Sequence, residues 1–171
     1  MTGNLLIKVE NMGIQFGGLK AVQGVNMYLN QGELVGLIGP NGAGKTTSFN
    51  MLTGVYTPTE GTITFNGLKL NGLAPYQVTQ KGISRTFQNI RLFKELSVLD
   101  NVKVANHSLA KHSMWSSIFR LPSHFKGEAA MEQQSTEFLK IFGLDIYKNE
   151  LAKNLPYGMQ RRLEIARALA A

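Results

Sequence analysis

Gly39-Pro40-Asn41-Gly42-Ala43-Gly44-Lys45-Thr46 is the stretch from which the rest of the chain can be read. It fits the spacing G-x-x-x-x-G-K-[ST] and stands between the apolar run Leu34-Val35-Gly36-Leu37-Ile38 and the segment Thr47-Ser48-Phe49-Asn50-Met51-Leu52. Strand, glycine loop and helix in that order predict a phosphate cradle. Glycine permits backbone conformations that turn successive N–H groups inward, and a helix N-terminus adds further donors at the positive end of its dipole. In such a loop Lys45 neutralises the β- and γ-phosphates, the Thr46 hydroxyl enters the coordination shell of Mg²⁺, and Thr47 reaches the α-phosphate. The spacing arises by chance in on the order of one in a hundred chains this long, and the flanking strand and helix lower those odds. The loop alone leaves kinases, GTPases, ATPases and transporters open.

The composition around it is that of one soluble globular domain. The chain has 171 residues, 43% of them hydrophobic and 17% charged, which excludes collagen, coiled coil and a disulfide scaffold. It has no cysteine, so disulfides, thiolate metal sites and a cysteine nucleophile are excluded. The net charge of +7 is uneven: four basic residues face three acidic ones up to residue 80, and fourteen face eight beyond it. Those later cations are dispersed and lack an aromatic platform, which disfavours nucleic acid as partner. Met1-Thr2-Gly3-Asn4 carries neither a basic flank nor an apolar core of a secretory signal, and the run 34–39 is far shorter than the ~20 residues of a spanning helix. A membrane role is therefore expected to come through a partner.

Short β-branched runs predict strands over 5–9, 21–29, 33–38, 61–65 and 83–87. Helical spacing dominates later: within 128–142, Met131, Phe138, Leu139 and Phe142 share one face and are expected to pack a core. Residues 106–127, with Trp115, Pro122 and Gly127, show no sustained period and read as an insertion or a loop-rich subdomain boundary. The alternation makes the fold class α/β.

Further motifs then follow in an order that resembles the ATP-binding cassette of ABC transporters. They are Phe16 before the glycine pair, Thr86-Phe87-Gln88, and Asn154-Leu155-Pro156-Tyr157-Gly158-Met159-Gln160 ahead of an apolar helical run. The resemblance implies a P-loop NTPase fold of ABC-cassette type, with an antiparallel β subdomain and a helical signature subdomain. It divides the chain into a nucleotide-binding core over about 1–88 and a helical part over about 89–171. It implies ATP and Mg²⁺ as cofactors, the ring of Phe16 stacked on adenine, and Gln88 at Mg²⁺ and the attacking water. Leu155, Tyr157, Gly158, Met159 and Gln160 become the signature loop, which meets ATP held on an opposite subunit. That loop departs from L-S-G-G-Q: Pro156 replaces the serine that meets the γ-phosphate, Tyr157 the first glycine and Met159 the first glutamine, while Gly158 matches the second glycine. Arg161-Arg162, Glu164 and Arg167 continue the family pattern, although an Arg-rich helix face is commonly just solvated.

Within the family, the stretches Phe16-Gly17-Gly18-Leu19-Lys20-Ala21-Val22, Arg85-Thr86-Phe87-Gln88-Asn89-Ile90-Arg91-Leu92-Phe93 and Tyr157-Gly158-Met159-Gln160-Arg161-Arg162-Leu163-Glu164 resemble LivG-type ATP-binding subunits of branched-chain amino-acid importers. The segment around Trp115 resembles an insertion of that subfamily. The implied function is an ATPase coupling ATP binding and hydrolysis to transport. Its partners would be transmembrane permease subunits, a paralogous ATP-binding subunit in a heterodimer and, indirectly, a solute-binding protein. The implied location is peripheral, on the cytoplasmic face of the membrane. The chain ends at Ala171, ahead of the strand that carries the Walker B aspartate and the catalytic glutamate in that family, and His107, His112 and His124 do not match its switch histidine. A truncated cassette with exposed apolar strand edges is expected. A nucleotide-binding remnant without hydrolysis and a nucleic-acid-associated ATPase of the same family remain the alternatives.

Overall fold

The structure is a computed structural model that describes residues 4–107 and 122–171. The chain divides into two compact units, Met1–Ile83 and Ser84–Ala171.

The first unit is built on an antiparallel sheet with strand order β2-β1-β3-β4, where β1 is Leu5–Phe16, β2 Leu19–Asn30, β3 Glu60–Phe65 and β4 Leu68–Lys69. Gly17, at φ 56°, and Gly18 turn β1 into β2, so that Phe16 pairs with Leu19. Sequence patterning ends the first strand at Val9, seven residues short. A register shift between Val9 and Met12 and a left-handed Asn11 at φ 49° break the alternation there. The ladder nonetheless continues. One face of the sheet packs Val9, Met12, Ile14, Val22, Ile63 and Phe65 with Met51 of helix α1 (Lys45–Leu52) and with Leu70. A short helix α2 (Pro75–Gln80) completes the unit.

Two expected strands are not formed. Residues 33–38 and 83–87 carry no regular structure and join no ladder. An apolar run becomes a strand only beside a strand that takes its hydrogen bonds, and no described segment pairs with either one. The side chains meant for the core are consequently in solvent: Leu34 is 101% and Ile38 95% exposed. The parallel nucleotide-binding sheet that an α/β reading implies is thus not among the described elements.

The second unit contains α3 (Val98–His107), α4 (Pro122–Ile141) and α5 (Tyr157–Leu169), with two 3₁₀ turns at Asp145–Tyr147 and Ala152–Asn154. Val98, Leu99, Val102, Leu139, Leu144, Leu155, Leu163 and Ala166 form its core. Of the apolar stripe read from the sequence, Met131 and Leu139 are buried, and Phe138 and Phe142 are half-buried against that core. Of residues 106–127, read from the sequence as lacking a sustained period, 106–107 belong to α3 and 122–127 to α4, so the described part is helical; Trp115 and His112 lie outside the described residues, as do the side chains of His107 and His124.

Asn101, fully buried, organises the loop entering α3. It accepts from the Phe93 N–H at 2.9 Å and donates to the carbonyls of Phe93 at 3.0 Å and Ser97 at 2.9 Å. Asn101→Ala leaves those buried groups without partners, so it is expected to cost roughly 2 kcal/mol, read as a lowered denaturant midpoint at unchanged slope.

Candidate functional site

The phosphate loop enters α1 without a side-chain cap. Gly44 occupies the N-cap in the left-handed region at φ 82°, and Ser48 N–H donates to its carbonyl at 2.8 Å. The N–H groups of the first helical turn have no intrahelical acceptor and point toward whatever lies ahead of the helix. Gly42, at φ 85°, turns the chain before it. Gly44 is also crowded. A Cβ there would lie 2.7 Å from Val22 Cγ2 and 2.9 Å from the Ala21 carbonyl oxygen, so only glycine fits the close approach of loop and β2.

Lys45 folds back over the loop, its Nζ donating to the Gly39 carbonyl and, at 2.6 Å, to the Pro40 carbonyl. The ammonium thus stands at the mouth of its own loop. A cleft of about 380 Å³ opens here, lined by Leu19, Lys20 and Ala21 of β2 and by Asn41, Gly42, Gly44, Lys45, Thr46 and Thr47. Two cations, two hydroxyls and a helix N-terminus converge on it, a donor set suited to a polyphosphate. Ala43 closes the loop with a backbone bond to the Pro40 carbonyl at 3.3 Å. Sequence reading did not single out Lys20 as lining the site; its place two residues after the Gly17-Gly18 turn was the available signal.

Phe16, half-exposed at the end of β1, meets Tyr56 edge to face, with ring centroids 5.2 Å apart at 74°. Tyr56 is set just beyond α1 by its N–H, which donates to the Asn50 carbonyl at 3.1 Å. The expected adenine platform is therefore an exposed ring steadied by a second one that the sequence did not single out.

In the second unit Gln88 is exposed on a segment without regular structure. The proposed signature residues divide by environment. Leu155 is buried in the helical core, Met159 and Gln160 are half-buried, and Tyr157 and Gly158 are exposed, Tyr157 to 72%. Pro156 takes the N-cap of α5, its carbonyl accepting from Met159 N–H at 2.9 Å and Gln160 N–H at 3.0 Å. Gln160 Nε2 turns back to the Leu155 carbonyl at 2.8 Å, which fixes the loop preceding the helix.

The charged face of α5 is not simply solvated. Glu164 is 2% exposed and paired with Arg161, and Arg167 lies over the Phe93 ring at 5.4 Å. Burial pulls the Arg167 guanidinium below its ordinary range, and the nearby Glu164 carboxylate partly restores it. Among the described residues no three His, Cys, Asp or Glu side chains gather as a metal site. Mg²⁺ held mainly by phosphates and water needs no such cluster.

Residues 22–171 match the family model described as ABC transporter. Over 164 residues the chain is 45% identical to the high-affinity branched-chain amino acid transport ATP-binding protein LivG of Escherichia coli, an alignment covering 96% of this chain and 64% of that protein. It is 42% identical to the corresponding protein BraF of Pseudomonas aeruginosa, with the same 96% and 64% coverage. A solved ATP-binding cassette of an ABC transporter in its ADP conformation superposes with a TM-score of 0.78 at 29% identity, over 97% of this chain and 65% of that one. The chain spans slightly under two thirds of the length of the curated relatives it matches.

Proposed function

The chain belongs to the ABC transporter family, and we propose that it is the nucleotide-cradling and signature-bearing portion of an ATPase that drives an importer of branched-chain amino acids. The cleft around Lys45 carries the ATP reading. The substrate class rests on the 45% identity, across 96% of the chain, to a branched-chain amino acid transport ATP-binding protein.

In this reading Lys45 leaves the Gly39 and Pro40 carbonyls and donates to the β- and γ-phosphates, where a fixed ammonium offsets charge more effectively than mobile water can. Thr46 would offer a hydroxyl oxygen to Mg²⁺ and Thr47 would donate toward the α-phosphate, while the amides of the first turn of α1 would hold the β-phosphate. Bound Mg²⁺ would withdraw charge from the terminal phosphates. Gln88, through its side-chain amide, would orient the attacking water and contribute an oxygen to the metal. Phe16 would offer its free face to adenine, with its edge held by Tyr56.

The signature loop on α5 would serve ATP bound by a second cassette. Pro156 stands where a serine hydroxyl would meet the γ-phosphate, and proline has neither that hydroxyl nor a backbone N–H to replace it. The composite site using this loop would then be the weaker of two, and the partner a paralogous cassette with a complete loop. Membrane permease subunits would supply the spanning segments, since no described helix is long and apolar enough to cross a membrane. The chain would then sit peripherally on the cytoplasmic face.

The test is ATP-dependent uptake of labelled leucine, isoleucine and valine by cells carrying the intact locus or lacking it. Loss of branched-chain uptake alone is expected on deletion; unchanged uptake would reject the substrate class. Pro156→Ser restores the missing hydroxyl and is expected to raise hydrolysis by the assembled transporter about two- to fivefold, the scale of one neutral hydrogen bond. Hydrolysis equal to that of the unsubstituted protein would argue against the asymmetry.

A further inference from the structure

Phe87 and Gln88 share a peptide bond, so whatever fixes the Phe87 backbone fixes the point from which Gln88 extends. The Phe87 N–H donates to Glu164 Oε1 at 3.2 Å, and the Phe87 carbonyl accepts from Arg161 Nη1. The same Arg161 nitrogen donates to Glu164 Oε2 at 2.7 Å. One residue of an irregular segment is thus gripped at both backbone polar groups by two side chains one turn apart on α5. Glu164 is buried to 2% exposure, a position where a carboxylate is costly unless paired and hydrogen-bonded, and both of its oxygens are engaged. The side chain of Phe87 is gripped as well. The guanidinium carbons of Arg85 and Arg91 lie 5.2 and 4.5 Å from its ring centroid. Gln88 itself remains exposed, held at its root through the peptide it shares with Phe87.

We infer that Glu164 and Arg161 are positioning residues for Gln88, tying it to the helix that begins at the signature loop so that the two move as one body. The inference deepens the proposed ATPase function and rests on the role given there to Gln88. Glu164 lies about two turns along α5 from Tyr157, so a displacement of the signature loop is carried by a continuous helix to the Phe87 peptide. An unclamped Gln88 would sample many orientations. Misplacement of a reacting group by about 1 Å can cost a hundredfold in rate.

Glu164→Gln keeps the shape and leaves an oxygen for the Phe87 N–H, but removes the charge that holds Arg161. Glu164→Ala removes both contacts. Each would be measured in the full-length protein assembled with its membrane subunits, for kcat and KM with ATP and for melting temperature. A second readout needs no turnover: the distance distribution between spin labels at Asn89→Cys and Arg162→Cys, both exposed positions, in a full-length protein whose residues 1–171 contain no cysteine and in which any cysteine elsewhere is replaced by serine. Glu164→Gln is expected to lower kcat about tenfold at unchanged KM and melting temperature, with a broadened label distribution; Glu164→Ala should broaden it further.

Narrow distributions in both variants would overturn the inference. So would an intact kcat beside a broadened distribution, or a rise in KM in step with the fall in kcat, since that would move the effect to nucleotide binding. Failure of the unsubstituted protein to bind ATP would overturn the reading of the phosphate loop and, with it, the inference. That outcome is separable from a failed clamp, because the label distances are read without nucleotide.

Discussion

Lys45→Ala is expected to lower ATP turnover of the assembled transporter by a hundredfold or more and to weaken equilibrium ATP binding in parallel. Two changes act in the same direction. The variant lacks the cation that would neutralise the terminal phosphates, a contribution of the size measured when one electrostatic donor is removed from an active site, about 3 kcal/mol. It also frees the Gly39 and Pro40 carbonyls, which now accept from the ammonium and would otherwise present their negative ends at the mouth of the loop. Folding should hardly change, because Lys45 is only half-buried and its partners are reachable by water. Lys45→Arg separates charge from fit: it keeps the cation but brings a wider, planar group. A partial recovery of binding without recovery of turnover is expected. Undiminished turnover in Lys45→Ala would refute the role given to this residue.

What could be read from the sequence divides by distance along the chain. The phosphate loop was legible because its chemistry is contiguous: the glycines, Lys45, Thr46 and Thr47 lie within nine residues, and backbone conformation, charge and hydroxyls are written side by side. Strands near 5–9 and 21–29 were legible from their β-branched runs, although the Gly17-Gly18 turn that joins β1 to β2 was not read as one. Val9 to Met12 was not legible, because a bulge at Asn11 interrupts the period-two signal while the ladder goes on. The run 33–38 failed in the opposite way. Its composition is that of a buried strand, but strandedness is a property of a pair, and no described segment supplies the neighbour.

Glu164 and Tyr56 were illegible for a third reason. A glutamate among arginines on a helix reads as a solvated face, and only the fold brings the Phe87 backbone, 77 residues away in sequence, against that carboxylate. Tyr56 likewise meets Phe16, 40 residues earlier in sequence, only through the fold. Local chemistry can be read from spacing, whereas partners set by tertiary contact cannot.

The two glycines of the loop allow the cost of backbone conformation to be separated from the cost of crowding. Gly42 and Gly44 have nearly the same backbone angle, φ 85° and 82°. A Cβ on Gly42 would meet nothing within 4 Å, whereas one on Gly44 would press against Val22 Cγ2 at 2.7 Å and the Ala21 carbonyl at 2.9 Å. Gly42→Ala should therefore incur only the left-handed penalty of an L-residue, about 1–2 kcal/mol. Gly44→Ala incurs that penalty and must also displace a backbone oxygen of β2, adding about 1–3 kcal/mol of overpacking. Because Ala21 lines the same cleft, the displacement should fall on the cradle itself. At 1.4 kcal/mol per tenfold, Gly44→Ala is expected to weaken ATP binding by about a hundredfold or more and to lower the melting temperature, while Gly42→Ala should lose about tenfold. Calorimetric titration of both variants with ATP, alongside thermal melts, measures the difference. Equal losses would mean that the left-handed turn alone shapes the cradle. A Gly44→Ala protein that binds ATP normally would mean that loop and β2 need not approach so closely for the phosphates to be held.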